Sequence, residues 1–213
     1  MDTKLSRKEA THKRIVEVAA RAIRRGGYGG VGVADIMKEA GLTHGGFYAH
    51  FPSRDAMLAE AVEYAGRQVL QIYAERTEEL RKQGASPFRA LVESYLSERH
   101  LEGLENGCPV AALASDMPRQ APEVQAASRE RVHIMFSVVR QVLPEHVDPD
   151  QAAVIASTLV GTLSLARALG GGPESKTLLA SSRAALLARY DDPGHPAKDD
   201  SGLGGPSPIP NPA

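Results

Sequence analysis

The spacing of the apolar residues limits this chain more than any other feature. They recur at helical intervals from about residue 8 to residue 190 and nowhere alternate as in a strand. In the first run, Ile15, Val18, Ala19, Ala22 and Ile23 follow i, i+3, i+4, i+7, i+8, one face of a helix over 8–25 that Gly26 and Gly27 stop. A short helix over 33–39 turns Val33, Ile36 and Met37 inward, with Ala40 behind them, and Gly41 breaks it. Thr43 is placed to cap a third helix of about two turns that delivers Phe47 and Phe51 to the core. Ser53 then caps a long helix to about residue 82. Further helices are expected at about 86–102, 109–116, 121–143, 149–169 and 173–190, separated by turn formers such as GAS, ENGCP and LPEHVDP. The expected fold is all-α, with about nine helices.

The charge is distributed unevenly. Residues 1–54 hold ten Lys/Arg and five Asp/Glu, a net +5, so the remainder carries −6 of the total −1. A basic head on an acidic body points to a polyanion-facing unit joined to something else. Three segments follow: a helix-turn-helix unit over 1–52, a helical body over 53–190, and a Pro- and Gly-rich tail over 191–213 that reads as disordered.

Several function classes find no support. Cys108 is the single cysteine, so no intrachain disulfide framework forms. The amino terminus lacks the apolar segment of a signal peptide, and the least polar stretch, about 152–169, carries Ser157, Thr158, Thr162, Ser164 and Arg167. The chain therefore reads as cytoplasmic, with no membrane partner. It has no nucleophile elbow, P-loop or zinc motif, so neither an enzyme nor a cofactor is expected. Neither His100, Glu102, Glu105 and Cys108 nor His44 and His50 has the spacing of a tight metal site.

The run GLTHGGFYAHF, residues 41–51, needs a reason, because two interior glycines cost a short helix about 2 kcal/mol against alanine. A tight turn at Ala40-Gly41-Leu42 between two short helices is helix-turn-helix geometry, in which the second helix enters the DNA major groove. Gly45 and Gly46 on the groove side let the backbone approach DNA. Thr43 and the free amides beside it favour phosphate, Tyr48 and His50 can donate to phosphate oxygens, and His44 is best placed to reach a base edge. Arg54, Lys13 and Arg14 add charge for the DNA backbone.

The stretch VADIMKEAGLTHGGFYAHFPSRDAML, residues 33–58, resembles the helix-turn-helix of TetR-family (tetracycline-repressor-like) transcriptional regulators. Ile36, Ala40, Gly41, Thr43, Gly46, Tyr48, His50, Phe51, Ser53 and Leu58 fit that pattern. Two positions depart from it: Gly32 stands where the family usually has a capping Thr or Ser, and Arg54 where it usually has Lys. The resemblance implies a homodimer bound to a double-stranded DNA operator and released by a small-molecule effector, with the helices at about 149–169 and 173–190 forming the dimer interface. Ala152, Ala153, Ala156, Gly161 and Leu165 on the first, and Leu178, Leu179, Ala185, Leu186 and Leu187 on the second, suit close helix approach. Candidate effector contacts are Tyr64, Tyr95, Met117, His133, Phe136, Thr158 and Thr162. Cys108 reads either as a thiol sensing oxidants or electrophiles from a helix N-terminus or as a small buried apolar residue.

Overall fold

The computed structural model describes residues 6–191, and these hold nine α-helices, three 3-10 turns and no strand. The tail from residue 192 onward lies outside the described residues. Asp191, at its start, is bound by Arg89 at 2.7 Å.

Helix α1 spans Arg7–Gly26 and opens with a capping box, the Ser6 hydroxyl accepting from Glu9 N–H and Glu9 Oε2 from Ser6 N–H. Its apolar face buries Ile15, Val18, Ala19, Ala22 and Ile23 as the spacing requires. Helix α2, Val33–Glu39, ends in a Schellman turn. Leu42 N–H donates to Met37 O and Gly41 N–H to Lys38 O, with Gly41 at φ 69°. A side chain is strained at that φ, which fixes glycine at the turn.

The segment expected as a short α-helix is instead a 3-10 helix, His44–Ala49. Gly46 N–H closes on Thr43 O and His50 N–H on Phe47 O, three residues back in each case. Two adjacent glycines give the α-form little propensity, and the segment is held by its aromatic anchors instead. Thr43 precedes it in extended conformation, but its hydroxyl makes no capping bond.

Helix α3, Arg54–Lys82, is capped by the Ser53 hydroxyl accepting from Ala56 N–H, and packs along α1. The expected helix over 86–102 is broken into α4, Pro87–Tyr95, and α5, Glu98–Glu102, because the Ser97 hydroxyl caps a new start. Helix α6 is only Pro109–Leu113, followed by a 3-10 turn at Met117–Arg119. Helices α7 (Pro122–Gln141), α8 (Gln151–Ala168) and α9 (Pro173–Tyr190) complete the fold. α7 lies against α3 and α8, and α8 against α9. By length and composition α8 could cross a membrane, but Ile155, Leu159, Leu163 and Ala166 bury one of its faces in the common core.

Candidate functional site

Phe47 and Phe51 point into the core and stack on each other with centroids 5.5 Å apart. Turning these two inward leaves Thr43, His44, Gly45 and Tyr48 on the outer surface, and Tyr48 is 71% exposed. The glycines gain meaning here. A Cβ built on Gly45 meets nothing within 4 Å, and one on Gly46 makes only ordinary contacts, 3.7 Å to Met37 and 3.8 Å to Thr43. Neither glycine is required by packing among the described residues.

His50 is half-buried, with Nδ1 enclosed and without a hydrogen-bond partner among the described residues. Burial, with the neighbouring His12 and Lys8, lowers its pKa, so the ring is neutral near pH 7. Its neighbour His12 stacks on Phe51 at 4.4 Å and reaches Glu60 at 2.6 Å.

Much of the head's positive charge is used inside the fold. Arg24 is buried and donates to Ala20 O, Gly107 O and Gln68 Oε1. Arg25 pairs with Glu39 and Glu105. Arg54, expected on the DNA backbone, donates to the carbonyls of Tyr28 and Val31 and so holds the loop before α2. Lys13 and Arg14 are exposed, Lys13 with only a loose 3.9 Å approach to Glu17.

A cavity of about 510 Å³, its open mouth included, lies between α3 and α7 and is closed off by α4, α6 and Leu159 of α8. α3 contributes Gly66, Val69, Leu70 and Tyr73, and α7 contributes Arg131, Ile134, Met135 and Val138. Each set is an i, i+3, i+4, i+7 stripe, so two helix faces make two walls. The lining is mostly apolar, as small-molecule sites are.

Of the residues expected to contact an effector, only Tyr95 lines this space. On α7, His133 is exposed and Phe136 packs on the core beside the stripe, so neither faces this cavity. Tyr64 donates to Glu17, Met117 is core, and Thr162 bonds Ser182 between α8 and α9. Thr158 faces outward with Val154 and Leu165.

Gly66 and Arg131 line the cavity and were not among the expected contacts. A glycine inside α3 costs about 1 kcal/mol against alanine. The reason is a close approach, since a Cβ on Gly66 would lie 2.4 Å from Arg131 Cδ and 2.9 Å from its Nη1. The arginine lies across the bare helix backbone at the cavity. The glycine inside an otherwise regular stripe was the available sequence signal.

Cys108 also lines the cavity, at the start of α6. Its backbone N–H donates to Nε2 of His100 at 3.0 Å, while His100 Nδ1 faces Tyr95 O at 2.7 Å. These two bonds require the neutral tautomer protonated at Nδ1. Burial, reinforced by Arg167 against the opposing bond to Tyr95 O, brings the His100 pKa down to about 4. Among the described residues, no three His, Cys, Asp or Glu side chains converge as a metal site would require.

Residues 15–61 match the family described as bacterial regulatory proteins, tetR family. The chain is 28% identical over 154 residues to the HTH-type transcriptional regulator LmrA of Bacillus subtilis, covering 72% of this chain and 81% of that one. Its fold is similar to a TetR transcriptional regulator from Chloroflexus aurantiacus, with TM-score 0.67, 23% identity, and 86% and 96% of the two chains covered. It is also similar to E. coli NemR in its reduced form, with TM-score 0.69, 18% identity, and 87% and 100% covered. The matched segment runs from the packed face of α1 through the Gly41 turn and the exposed 3-10 face into α3, and over it the chain carries the DNA-binding region of the TetR family of bacterial transcriptional regulators.

Proposed function

We propose that the chain is a homodimeric repressor whose two 1–52 units occupy a palindromic operator and which a small molecule, bound in the 53–190 body, releases. The carrying observation is the continuity of α3. Its capped start adjoins Phe51, and its middle, Gly66 to Tyr73, is a wall of the cavity. A ligand that displaces this wall tilts the helix on which the reading head is seated. By reciprocity, operator DNA then weakens ligand binding by the same factor.

The dimer face is the outward side of α8 and α9. Val154 and Leu165 on α8 and Leu169 at its C-terminal cap are exposed, Leu165 by 61%, and a Cβ on Gly161 would meet only open space. Ala180, Ala184 and Ala188 lie exposed on α9 at a spacing of four. Ala152, Ala156, Leu179 and Leu186, assigned to this interface from sequence, are buried within the chain itself. Leu165→Glu is expected to yield a folded monomer by sedimentation that no longer holds a two-half-site operator, since one head contacts too few base pairs. A dimer that persists in this variant removes α8 from the interface.

On the operator, Tyr48→Phe is expected to weaken every sequence alike by roughly tenfold, the loss of one hydrogen bond to phosphate. His44→Ala is expected to relax base preference at one position by about 1–3 kcal/mol. Gly45→Ala should leave thermal stability unchanged and still reduce affinity. Fluorescence anisotropy across a salt series, which should show a steep slope, tests all three. Full affinity in Tyr48→Phe and Gly45→Ala together refutes this docking face.

A second reading has the stimulus react with the thiol of Cys108, which lies in the cavity wall. In that case Cys108→Ser abolishes release by electrophiles and spares release by non-reactive ligands.

A further inference from the structure

Two polar groups in the cavity wall have unmet hydrogen-bonding capacity. Arg131 lies across Gly66 and, among the described residues, makes no ion pair within 4 Å and has its buried Nε without a partner. Glu63 and Glu130 act on it only through space, and its pKa is lowered chiefly by burial. Tyr95 is 2% exposed, and its hydroxyl lies beside the Cys108 thiol and is otherwise unpartnered among the described residues. The other phenol, Tyr73, already engages His100 at 2.7 Å. Among the described residues no carboxylate lines the space, so an ammonium ligand would meet a guanidinium and no carboxylate within the cavity. One cation beside one neutral donor fits a single negative charge rather than the two of a phosphate ester.

We propose that the cavity takes a compact apolar carboxylic acid, its carboxylate held by Arg131 and a second acceptor on its body met by the Tyr95 hydroxyl. This rests on the reading of the cavity as the effector site and names the ligand class. The planar guanidinium receives a carboxylate through paired N–H bonds, and the apolar stripes of α3 and α7 enclose the remainder. Gly66 is the positioning residue, because only a bare backbone lets Arg131 lie where it does.

The test is calorimetric titration of the full-length protein with 4-phenylbutanoate, its primary amide, 4-phenylbutylamine and 4-oxo-4-phenylbutanoate. The acid is expected to bind at least about tenfold tighter than the amide, the difference a charge-assisted hydrogen bond makes, and the amine not to bind. Arg131→Met should bring the acid down to the amide's affinity with the helical circular dichroism unchanged, and Arg131→Lys should recover part of it. Gly66→Ala should weaken the acid and spare the amide. The keto acid should bind tighter than 4-phenylbutanoate, and Tyr95→Phe should erase that advantage. Absence of acid binding at millimolar concentration, equal affinity for acid and amide, an acid preference surviving Arg131→Met, or a keto advantage surviving Tyr95→Phe each overturns the proposal. Operator release is scored separately in the same samples. Acids that bind through Arg131 without releasing DNA sink the effector reading and leave the ligand class standing, and release by the amide or amine alone does the reverse.

Discussion

Phe47→Ala is expected to lower unfolding free energy by about 3–5 kcal/mol, a large share of the roughly 5–15 kcal/mol that holds a protein of this kind folded. Phe47 is 1% exposed, stacks on Phe51, and meets Tyr48 edge-on at 5.2 Å. The six-residue 3-10 helix it anchors has poor intrinsic stability, so the ring supplies what the local backbone cannot. Its loss should free residues 44–49 while α3 to α9 stay folded, so operator affinity should fall before the helical signal does. Urea unfolding followed in parallel with operator titration separates the two effects. Tyr48→Ala provides the contrast, removing an exposed ring with little effect on stability. Operator affinity left intact in Phe47→Ala would show that the segment needs no anchor.

The second large effect is on acid stability. His100 is 7% exposed beneath Tyr73, Tyr95 and Arg167, whose guanidinium donates to His100 O at 2.7 Å. Its pKa lies at about 4 in the folded chain against an ordinary 6.5. The folded state therefore binds fewer protons than the unfolded one between those values. The contribution is fully present above pH 6.5 and is lost as pH falls towards 4, for about 3 kcal/mol in all. Protonation would also place a hydrogen on Nε2, where Cys108 N–H now donates, and so loosen the start of α6 at the cavity. Between pH 7 and pH 5 the wild type should lose roughly 2 kcal/mol more than His100→Gln, whose side chain does not titrate. Parallel denaturation curves at both pH values would show that His100 is not held neutral by the fold.

These two residues differ in how visible they are in the sequence. Phe47 is legible because it falls at a helical interval from Phe51 beside glycines no stable helix would choose. His100 is not, because its low pKa comes first from burial, under side chains that α3, α4 and α8 bring together only by packing, and then from Arg167 on α8. The same division runs through the cavity. Helical spacing places Tyr95 and His133 on helices, but which side of α7 faces α3 depends on the angle at which the two cross. That is why Arg131, Ile134 and Met135, and not His133 or Phe136, line the cavity.

The sequence by itself determined the all-helical class, the Gly41 turn, the inward Phe47 and Phe51, and the outward Tyr48 and His44. Each of these depends on residues a few positions apart, where periodicity and backbone sterics suffice. Only the tertiary structure decided that Arg54 and Arg24 hold carbonyls of distant segments and that Arg131 lies across Gly66. Those outcomes depend on atoms from segments tens of residues apart, and the distances between such atoms are fixed by how helices pack rather than by anything local to either segment.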